Sequence, residues 1–495
     1  MPQTRPNLIY IFADQLRYHS CGFAGDPFAL TPNIDRLSAE SANCINAVSN
    51  TPVCAAYRAS LFTGKHQSSH GMVINELRLS PDHRCFGHVL TDAEYDTSYI
   101  GKWHLWANEL GHHRMIRNAF TPPGPYRLGF DGYWAGYNFS HNSYDGVYFE
   151  DSCDPIRYDG YEADIQTDMA IQRIYHHSES DDPFALFLSW GPPHDPWGDD
   201  NVKPEDLEKF KNVDIPLRPN FSEEQDPYAD RWATMDETYR RDLSLNVRGY
   251  YAQTTNVDWN LGRLLKAIES RGLADDTILV FTSDHGEMFG SHGRRAKNIF
   301  YEEAARVPLL IRQPDRIRPG VCESCISTVD LMPTLLGLLN LPVPDTAEGV
   351  DMSECLIGSC PSIENPVMMQ GMGTTAAWRD GNEWRGLRDT QYTYAVYRVD
   401  HSEHLYDNVN DPFQQRNLAS GASESDFLED YRNRLRSKMS KLSDTFKPCT
   451  WYENAWTEDR NIMQGARGGA HDLDALGSML TTHFPDDVME RSVDD

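Results

Sequence analysis

The sequence predicts an α/β fold, with a large, mostly parallel β-sheet between layers of helices and a smaller C-terminal α+β domain. Short apolar runs at residues 7–13, 184–190 and 277–282 are rich in β-branched and aromatic residues, as in strands buried on both faces of a sheet. Helical patterns separate these runs, and that alternation indicates a parallel sheet. Because ligands of such sheets bind beyond the carboxyl ends of the strands, polar residues there are candidates for function.

The first half of the chain predicts two helices and a further strand. The Thr-Pro pair at residues 31–32 predicts a helix to about residue 41, because Thr is a favoured N-cap and Pro a favoured first helical residue. Residues 54–64 predict a short helix that ends in glycine, which tolerates a positive φ. Residues 95–103 predict a strand. Residues 106–162 are rich in Gly, Pro, Asn and aromatics and predict a long functional loop.

The second half predicts a long helix and further sheet elements. Apolar residues recur at three- and four-residue steps from residue 245 to 271, and a glycine follows, so this segment predicts an amphipathic helix. The acidic, proline-bearing residues 198–240 before it predict a surface excursion. Further along the chain, residues 307–311 predict a strand of the large sheet. Residues 328–339 predict a helix that is capped by Thr328.

A change of composition after residue 340 predicts a domain boundary. Prolines cluster at residues 341–344 and again near Pro361, and such segments are common between domains. We therefore predict a large domain at residues 1–362 and a C-terminal subdomain at residues 363–495. The subdomain is expected to contain a small antiparallel sheet with strands at 366–370 and 390–398.

Length and composition fit a globular chain with one large and one smaller domain. The 495 residues are 40% hydrophobic and 11% aromatic, and no long apolar run predicts a transmembrane helix or a membrane partner. The formal net charge of −29 argues against a nucleic-acid partner, because such binding depends on basic contacts to phosphate. Ten scattered cysteines and a start without a signal-peptide pattern predict a cytoplasmic location, or a periplasmic one if a leader has been removed. The oligomeric state stays open.

Residues 50–66, NTPVCAAYRASLFTGKH, place a cysteine and an arginine one helical turn apart after a proline-marked loop. Cys54 and Arg58 then share one face of the first turn of a helix. The helix dipole and the unpaired backbone N–H groups favour negative charge there, so an ionised nucleophile or an oxyanion is stabilised. The spacing alone leaves open that Cys54 is a buried packing residue, because most free cysteines are.

This segment resembles the activation motif of the formylglycine-dependent type I sulfatases, a family of the alkaline-phosphatase superfamily. The family motif is Cys-x-Pro-Ser-Arg followed closely by Leu-Thr-Gly. This chain has Cys54 and Arg58 in place, with Ala56 and Tyr57 at the proline and serine positions. The resemblance implies an alkaline-phosphatase-like catalytic domain at residues 1–362. It also implies a formylglycine-generating enzyme as partner, which oxidises Cys54 to formylglycine, whose hydrated aldehyde is the nucleophile.

The C-terminal part also resembles the ending typical of sulfatases, so the resemblance covers nearly the whole chain. This ending has no evident chemistry of its own and serves as an independent family marker. The matching segments are residues 384–388, 404–407, 410–412 and 416–418.

Two pairs of polar residues follow predicted strands that are far apart in the sequence. Asp14 and Gln15 follow the first strand, and each residue alone is also typical of an ordinary turn. Asp284 and His285 follow a late strand. If both pairs converge, they can hold a divalent cation. The resemblance implies that all four are ligands and that Cys54, as formylglycine, is the fifth. We expect Ca²⁺, with Mn²⁺ left open because the nitrogen of His285 softens the site.

The resemblance further implies a set of basic residues that offset the negative net charge and bind the sulfate ester. Arg58, Lys102 and Lys297 are expected, with the metal, to stabilise charge on the sulfuryl oxygens. His194, together with Lys297, is expected to protonate the leaving alcohol. His104 is expected to take a proton from the second hydroxyl of the hydrated aldehyde, so that sulfate departs. Each of these residues alone is equally typical of a solvated surface or loop position.

We therefore predict a sulfuric ester hydrolase that removes sulfate from an organic sulfate ester. The aromatic, polar residues 130–161 can stack on sugar rings, which favours a sulfated carbohydrate as the substrate, with a small aryl sulfate left open. A phosphonate or phosphate ester hydrolase acting through the same residues is the main alternative, because the superfamily handles both kinds of tetrahedral anion. A non-catalytic binder of sulfated glycans, in which Cys54 stays a thiol, is a third hypothesis.

Overall fold

The computed structural model has eight strands in one large sheet and four in a separate antiparallel sheet, which confirms the predicted fold class. It describes residues 5–358, 363–421, 425–467, 472–484, 488 and 490–494. The strands are β1 (Asn7–Ala13), β2 (Ala42–Val48), β3 (Asp96–Lys102), β4 (Tyr133–Tyr137), β5 (Val147–Tyr148), β6 (Ile156–Arg157), β7 (Phe184–Trp190), β8 (Thr277–Ser283), β9 (Leu309–Arg312), β10 (Gly320–Ser327), β11 (Val367–Gly371), β12 (Trp384–Arg388), β13 (Tyr392–Tyr397), β14 (Glu403–Asp407), β15 (Thr457–Glu458) and β16 (Asn461–Ile462). The helices are α1 (Pro32–Ala39), α2 (Cys54–Thr63), α3 (Gln67–His70), α4 (Phe86–Asp92), α5 (Ile116–Ala119), α6 (Glu162–His177), α7 (Pro204–Leu207), α8 (Glu237–Ser270), α9 (Glu302–Ala305), α10 (Thr328–Leu339), α11 (Ser353–Leu356), α12 (Asp426–Lys441), α13 (Cys449–Trp456) and α14 (Leu473–His483).

The large sheet has the strand order β10-β2-β9-β8-β1-β7-β3-β4. Only β9, among these eight strands, runs antiparallel to its neighbours. The central strand β1 pairs in parallel with β7 on one edge and with β8 on the other. Every residue of these three strands is buried, which explains their continuous apolar sequences.

Helices cover both faces of the large sheet, as alternate residues of β1 show. Tyr10 and Phe12 belong to a hydrophobic cluster that includes residues of α2, α4 and α10. Ile9 and Ile11 belong to a second cluster, formed with residues of α1, α6 and α8. Side chains of successive strand residues point to opposite faces, so β1 lies in the middle of a three-layered domain.

The long helix α8 begins at Glu237, earlier than the predicted start at residue 245. The Asp236 side chain accepts a hydrogen bond from the backbone N–H of Tyr239 and caps the helix at this earlier position. Leu245 is 59% exposed, so the first turns carry a weak apolar pattern. The apolar periodicity therefore predicts the packed part of the helix but not its N-terminal turns.

Two segments that we predicted as a loop and a surface excursion contribute to the folded core. Residues 106–162 include β4, which adds an edge strand beside β3. Residues 198–240 bury Phe210 and Met235 in a cluster with residues of α8. Contacts with distant elements order both segments, and local periodicity does not reveal such contacts.

Two smaller differences concern β9 and α10. The strand predicted at residues 307–311 begins at Leu309 and runs antiparallel to the rest of the sheet. The N-cap of α10 is Ser327 and not Thr328, because Ser327 shares a capping box with Asp330.

The C-terminal sheet has the order β11-β12-β13-β14, and α12 packs against it. Beyond it the chain returns to the large domain, because Trp456, Ile462 and Leu476 join the same hydrophobic cluster as α2. The predicted boundary between residues 362 and 363 stays a prediction, since Pro361 and its neighbours at 359–362 lie outside the described residues. Within the described ranges, no helix is both long and apolar enough to cross a membrane.

Candidate active site

Polar side chains from three of the central strands meet beyond the carboxyl edge of the large sheet. Asp14 follows β1, Lys102 is the last residue of β3, and Asp284 follows β8. The Nζ of Lys102 donates a hydrogen bond of 2.6 Å to Oδ2 of Asp14. All three side chains are buried, so their charges act on one another without screening by water.

Helix α2 begins beside this cluster and has Cys54 as its first residue. The Sγ of Cys54 lies 3.7 Å from Oδ1 of Asp14 and 3.2 Å from Nε2 of His285. All ten residues of the helix are buried, and three of them are alanines, which let its backbone approach the sheet closely. Gly64 ends the helix with a left-handed φ of 64°, as its position in the sequence predicted.

Asp14, Cys54, Asp284 and His285 form a buried cluster in which one ligand atom from each residue lies within 4.8 Å of the others. The Nδ1–H of His285 donates to the carbonyl oxygen of Gly286 at 3.0 Å, which leaves Nε2 facing Cys54. The Oδ2 of Asp284 accepts no hydrogen bond from the described residues. Two carboxylates, one of them with an oxygen that accepts no hydrogen bond from the described residues, and an imidazole nitrogen fit a divalent cation.

Gln15 lies beside this cluster and has a left-handed backbone with a φ of 70°. Its backbone N–H donates to Oδ1 of Asp284 at 2.9 Å. Its side-chain Oε1 accepts a hydrogen bond of 2.7 Å from Lys297, and its Nε2 donates to Glu287 at 2.8 Å. Because the amide oxygen already has a donor, the role of Gln15 as a metal ligand stays a prediction.

The guanidinium of Arg58 lies between the two carboxylates of the cluster. Its Nη2 is 3.5 Å from Oδ2 of Asp14 and 3.5 Å from Oδ2 of Asp284. Its Nη1 donates to Oγ of Ser189 at 2.7 Å and to the carbonyl oxygen of Lys102. The side chain is fully buried, so contacts with protein groups take the place of its lost hydration.

The charges around Cys54 favour an anion at this position. Burial alone raises the pKa of the thiol, but the positive charges of Lys102 and Lys297 act in the opposite direction. A hydrogen bond with His104 adds to their effect, and the pKa of Cys54 is held well below its usual range. A nucleophile at residue 54 is therefore stabilised in its ionised form.

His194 and Lys297 form a second group of proton carriers at the site. The Nζ of Lys297 lies 2.5 Å from Nε2 of His194, and the carbonyl oxygen of Asp195 accepts a hydrogen bond of 2.8 Å from Nδ1. Burial and the Lys297 charge lower the pKa of His194, but the carboxylates of Asp195 and Asp14 raise it to about 9. A hydrogen bond needs one donor and one acceptor, so Lys297 and His194 share one proton across their contact.

His104 follows β3 with a left-handed φ of 58°. Burial is the main cause that lowers its pKa to about 4, although a hydrogen bond with Cys54 acts in the opposite direction. Its Nδ1 has no hydrogen-bond partner in the described part of the chain, and its ring packs edge-on against Phe139. A neutral imidazole beside residue 54 can accept a proton from it.

Sequence analysis missed several residues that hold the site in place. Ser189 in β7 and Tyr99 in β3 both accept hydrogen bonds from Arg58. Glu162, the first residue of α6, is buried and accepts a hydrogen bond of 2.5 Å from Tyr137. Desolvation by burial raises the pKa of Glu162 to about 7. The place of Ser189 near a strand end was a usable signal, whereas no local pattern marks Glu162.

Comparison with known proteins gives matches along nearly the whole chain. Residues 6–341 match the sulfatase family, and residues 290–443 match the C-terminal region of N-sulphoglucosamine sulphohydrolase. An ulvan-active sulfatase of Formosa agariphila is 35% identical over 454 residues, which cover 91% of this chain and 84% of that protein. An N-acetylglucosamine-6-O-sulfatase of Bacteroides thetaiotaomicron is 26% identical over 523 residues, with coverage of 90% and 86%.

A solved structure, that of a sulfatase from Bacteroides fragilis, shares the fold. It has a TM-score of 0.79 and 30% sequence identity, and the match covers 91% of this chain and 98% of that one. Fold and site together define a hydrolase of the alkaline-phosphatase superfamily. The match over residues 6–341 narrows that class, and the chain belongs to the sulfatase family and is a sulfuric ester hydrolase.

Proposed function

We propose that this sulfatase removes sulfate from a sulfated carbohydrate, with formylglycine at residue 54 as the nucleophile and one divalent cation beside it. The observation that carries this proposal is the convergence of Cys54 with Asp14, Asp284 and His285 within 4.8 Å. Residue 54 is buried at the first turn of α2, where a helix N-terminus also favours an anion. A thiol that served only for packing would not need this polar surrounding.

A hydrated aldehyde at residue 54 supplies one hydroxyl as the nucleophile and a second hydroxyl from which sulfate is expelled. A thiolate lacks that second hydroxyl, so it would be left sulfonated after a single attack. The positive charges that lower the pKa of Cys54 would lower the pKa of a hydroxyl at the same position. A formylglycine-generating enzyme is the partner that this chemistry requires, and the small side chain of Ala56 leaves the segment accessible to it before folding.

Asp14, Asp284 and His285 would hold the cation, and we propose Ca²⁺ because oxygen ligands dominate this set. The cation would supply positive charge that lowers the pKa of the nucleophile and polarises the sulfate oxygens. Arg58 and Lys102 balance the carboxylate charges in its neighbourhood, at 3.5 Å and 2.6 Å from Asp14. With Lys297 they would stabilise the negative charge that develops on the sulfuryl oxygens.

The proton shared by His194 and Lys297 is the one available to the departing alcohol. His194 has its Nδ1–H fixed by Asp195, so its Nε2 is the atom that faces the reacting group with Lys297. A sugar hydroxyl is a poor leaving group as an alkoxide, and it needs this proton as the ester bond breaks. His104, neutral and in contact with residue 54, would then accept the proton of the second hydroxyl.

Two observations favour a carbohydrate as the substrate. The ulvan-active and N-acetylglucosamine-6-O-specific relatives support a sulfated sugar. In this chain the rings of Phe139 and His113 stack at 4.8 Å with an angle of 14° between them, next to His104. Such a flat aromatic surface beside the site suits the apolar face of a sugar ring.

The decisive experiment is mass spectrometry combined with turnover. The chain is produced with an active formylglycine-generating enzyme, and the tryptic peptide at residues 37–58 is analysed for loss of the thiol and gain of an aldehyde. We expect modified protein to release sulfate over many turnovers and Cys54→Ser to stop after one. Cys21→Ala, which removes another buried cysteine, is the matched control and should keep both modification and turnover.

Three outcomes would contradict parts of the proposal. Sustained sulfate release by a chain whose residue 54 is entirely cysteine would overturn the formylglycine mechanism. Faster hydrolysis of an aryl phosphonate than of the matching aryl sulfate would favour the phosphonate hydrolase. Binding of sulfated glycans without hydrolysis, by protein whose Cys54 stays a thiol despite the active formylglycine-generating enzyme, would favour a non-catalytic binder.

A further inference from the structure

The imidazole rings of His141 and His194 lie face to face. Their centroids are 3.9 Å apart and the angle between the rings is 9°. His141 belongs to the segment between β4 and β5, whereas His194 follows β7. His141 is exposed, yet the His194 side chain is only 9% exposed. The stack therefore covers one face of the residue that we propose as the proton donor.

The other contacts of His194 lie at the two edges of its ring. Asp195 accepts from Nδ1, with its carbonyl oxygen at 2.8 Å and its Oδ1 at 3.0 Å, and Lys297 lies 2.5 Å from Nε2. Contacts at opposite edges fix the direction of the ring but leave it free to tilt about the line that joins them. The terminal torsion of histidine is broad, so no intrinsic barrier prevents that tilt. A ring stacked on the face restrains it.

A single buried amide holds the two segments in this arrangement. Asn201 donates to the carbonyl oxygen of His141 at 3.0 Å and to that of Pro196 at 2.9 Å, and its Oδ1 accepts from the N–H of Ser143 at 2.6 Å. Gln253 of α8 donates to Pro196 and to the carbonyl oxygen of Asn201. Hydrogen bonds thus connect the segment that contains His141 to the segment that contains His194, and both segments to the long helix α8.

Among the described residues, the stack with His194 is the one ring contact of His141. The His141 ring makes no hydrogen bond to the residues that the structure describes, while the backbone carbonyl is held by Asn201. An exposed side chain without a hydrogen bond is free to leave its position unless the stack itself stabilises it. Its placement over His194 therefore points to a role exerted through His194.

We propose that His141 is a positioning residue that keeps the His194 ring aligned for proton transfer to the leaving oxygen. This inference rests on the proposed function, because it assumes that His194, with Lys297, is the acid. A tilt about the line that joins the two edge contacts turns the N–H bond of Nε2 away from the leaving oxygen, and a misplacement of about 1 Å can cost about 10²-fold in rate. Only substrates whose leaving group needs a proton would be affected.

The test uses a series of substituted phenyl sulfates that differ in the pKa of the phenol, with full-length modified enzyme. For wild type, kcat/KM should depend only weakly on that pKa. His194→Ala should steepen the dependence and lower kcat/KM for the poorest leaving group by about 10²-fold. His141→Ala should steepen it in the same sense, with a loss of about 10-fold for the poorest leaving group and little change for the best.

His141→Phe separates stacking from any other property of the histidine. It retains a flat ring without nitrogen atoms, and we expect it to restore the wild-type slope. His176→Ala removes an exposed histidine of α6 and serves as the control, with unchanged kinetics expected. A merely structural defect in His141→Ala would lower all rates by the same factor and leave the slope unchanged.

The outcomes distinguish this inference from the proposed function. If His194→Ala does not steepen the slope, the proposed role of His194 as the acid fails, and the inference fails with it. If His194→Ala steepens the slope while His141→Ala behaves as wild type, only the inference is overturned. The same holds if His141→Phe is as impaired as His141→Ala.

Discussion

The Sγ of Cys54 lies 3.2 Å from Nε2 of His285, although 231 residues separate the two along the chain. The contact exists because α2 begins at the edge of the sheet where β8 ends. His285 has its other nitrogen bound to a backbone carbonyl, so the side of the ring that faces Cys54 is the side available to a ligand. Nucleophile and proposed metal site therefore share one small buried volume, and each is expected to respond when the other is changed.

The first prediction concerns the metal. Protein freed of metal by a chelator should bind one Ca²⁺ per chain, and Asp284→Asn should weaken that binding by about 10-fold or more because a ligand charge is lost. Binding to the folded state alone should raise the free energy of unfolding by about 3 kcal/mol at a Ca²⁺ concentration 100 times the Kd. Titration calorimetry and urea unfolding measure the two quantities.

Asp242→Asn is the matched control for this titration. Asp242 is a partly exposed residue of α8 that pairs with Arg241, and the change removes the same charge outside the cluster. It should bind Ca²⁺ as wild type does. Equal affinities for Asp284→Asn and wild type would rule out the predicted site, and a preference for Mn²⁺ would correct the ion alone.

The second prediction concerns the stability that Arg58 provides. In chelator-treated protein, Arg58→Ala should lower the free energy of unfolding by about 3–5 kcal/mol, because it leaves the buried carboxylates of Asp14 and Asp284 without their shared cation. Arg36→Ala breaks an ion pair with Glu269 whose side chains are both 43% exposed, and it should cost about 1 kcal/mol or less. Urea unfolding of both variants at neutral pH gives the comparison. Equal losses would mean that Arg58 contributes nothing beyond a surface pair.

Local patterns predicted those features that local chemistry decides. Strands β1, β7 and β8 are buried on both faces, so their composition alone marked them. The left-handed end of α2 requires a glycine, and Gly64 stands there. Asp14 and Asp284 could be placed near each other because both follow strands of one parallel sheet, whose carboxyl ends share an edge.

Features that depend on distant partners were missed. Strand β2 escaped notice because Asn43 and Asn46 interrupt its apolar pattern, and it is ordered by its pairing with β10 and β9. The side chain of Asn46 donates to the carbonyl oxygen of Glu323, a contact across 277 residues. Asn201 likewise resembles any polar loop residue in the sequence. Its side chain joins two loops at the site by hydrogen bonds, and these bonds form only when folding brings both loops together.

The third prediction concerns His104. His104→Ala should retain the first chemical step and lose the proton acceptor for the second, so a reactive aryl sulfate should give a burst of about one phenol per enzyme and then slow turnover. Stopped-flow measurement of phenol release, compared with steady-state sulfate release, detects this pattern. His83→Ala, a variant at another histidine with a pKa lowered by burial, to about 4, should show no burst. Loss of the burst itself in His104→Ala would place the residue in the first step instead.

The fourth prediction concerns Glu162 and the pH dependence of stability. Burial raises the pKa of its carboxyl from 4.5 to about 7 in the folded protein. Between these values the folded chain holds a proton that the unfolded chain has lost, so stability must fall as the pH rises through this window. The size of the shift corresponds to a loss of about 3 kcal/mol between pH 4.5 and pH above 7 for this one group.

Glu162→Gln removes this titration and keeps an amide oxygen that can accept the hydrogen bonds of Tyr137 and Gln166. Urea unfolding from pH 5 to pH 8 should show a free energy that falls with pH in the wild type and falls less steeply in the variant. The two curves should diverge by about 3 kcal/mol at the alkaline end, since only the wild type has a buried carboxylate to ionise there. Glu224→Gln, at an exposed position, should follow the wild-type curve. Parallel curves for Glu162→Gln and wild type would show that Glu162 ionises in the folded protein as it does in the unfolded chain.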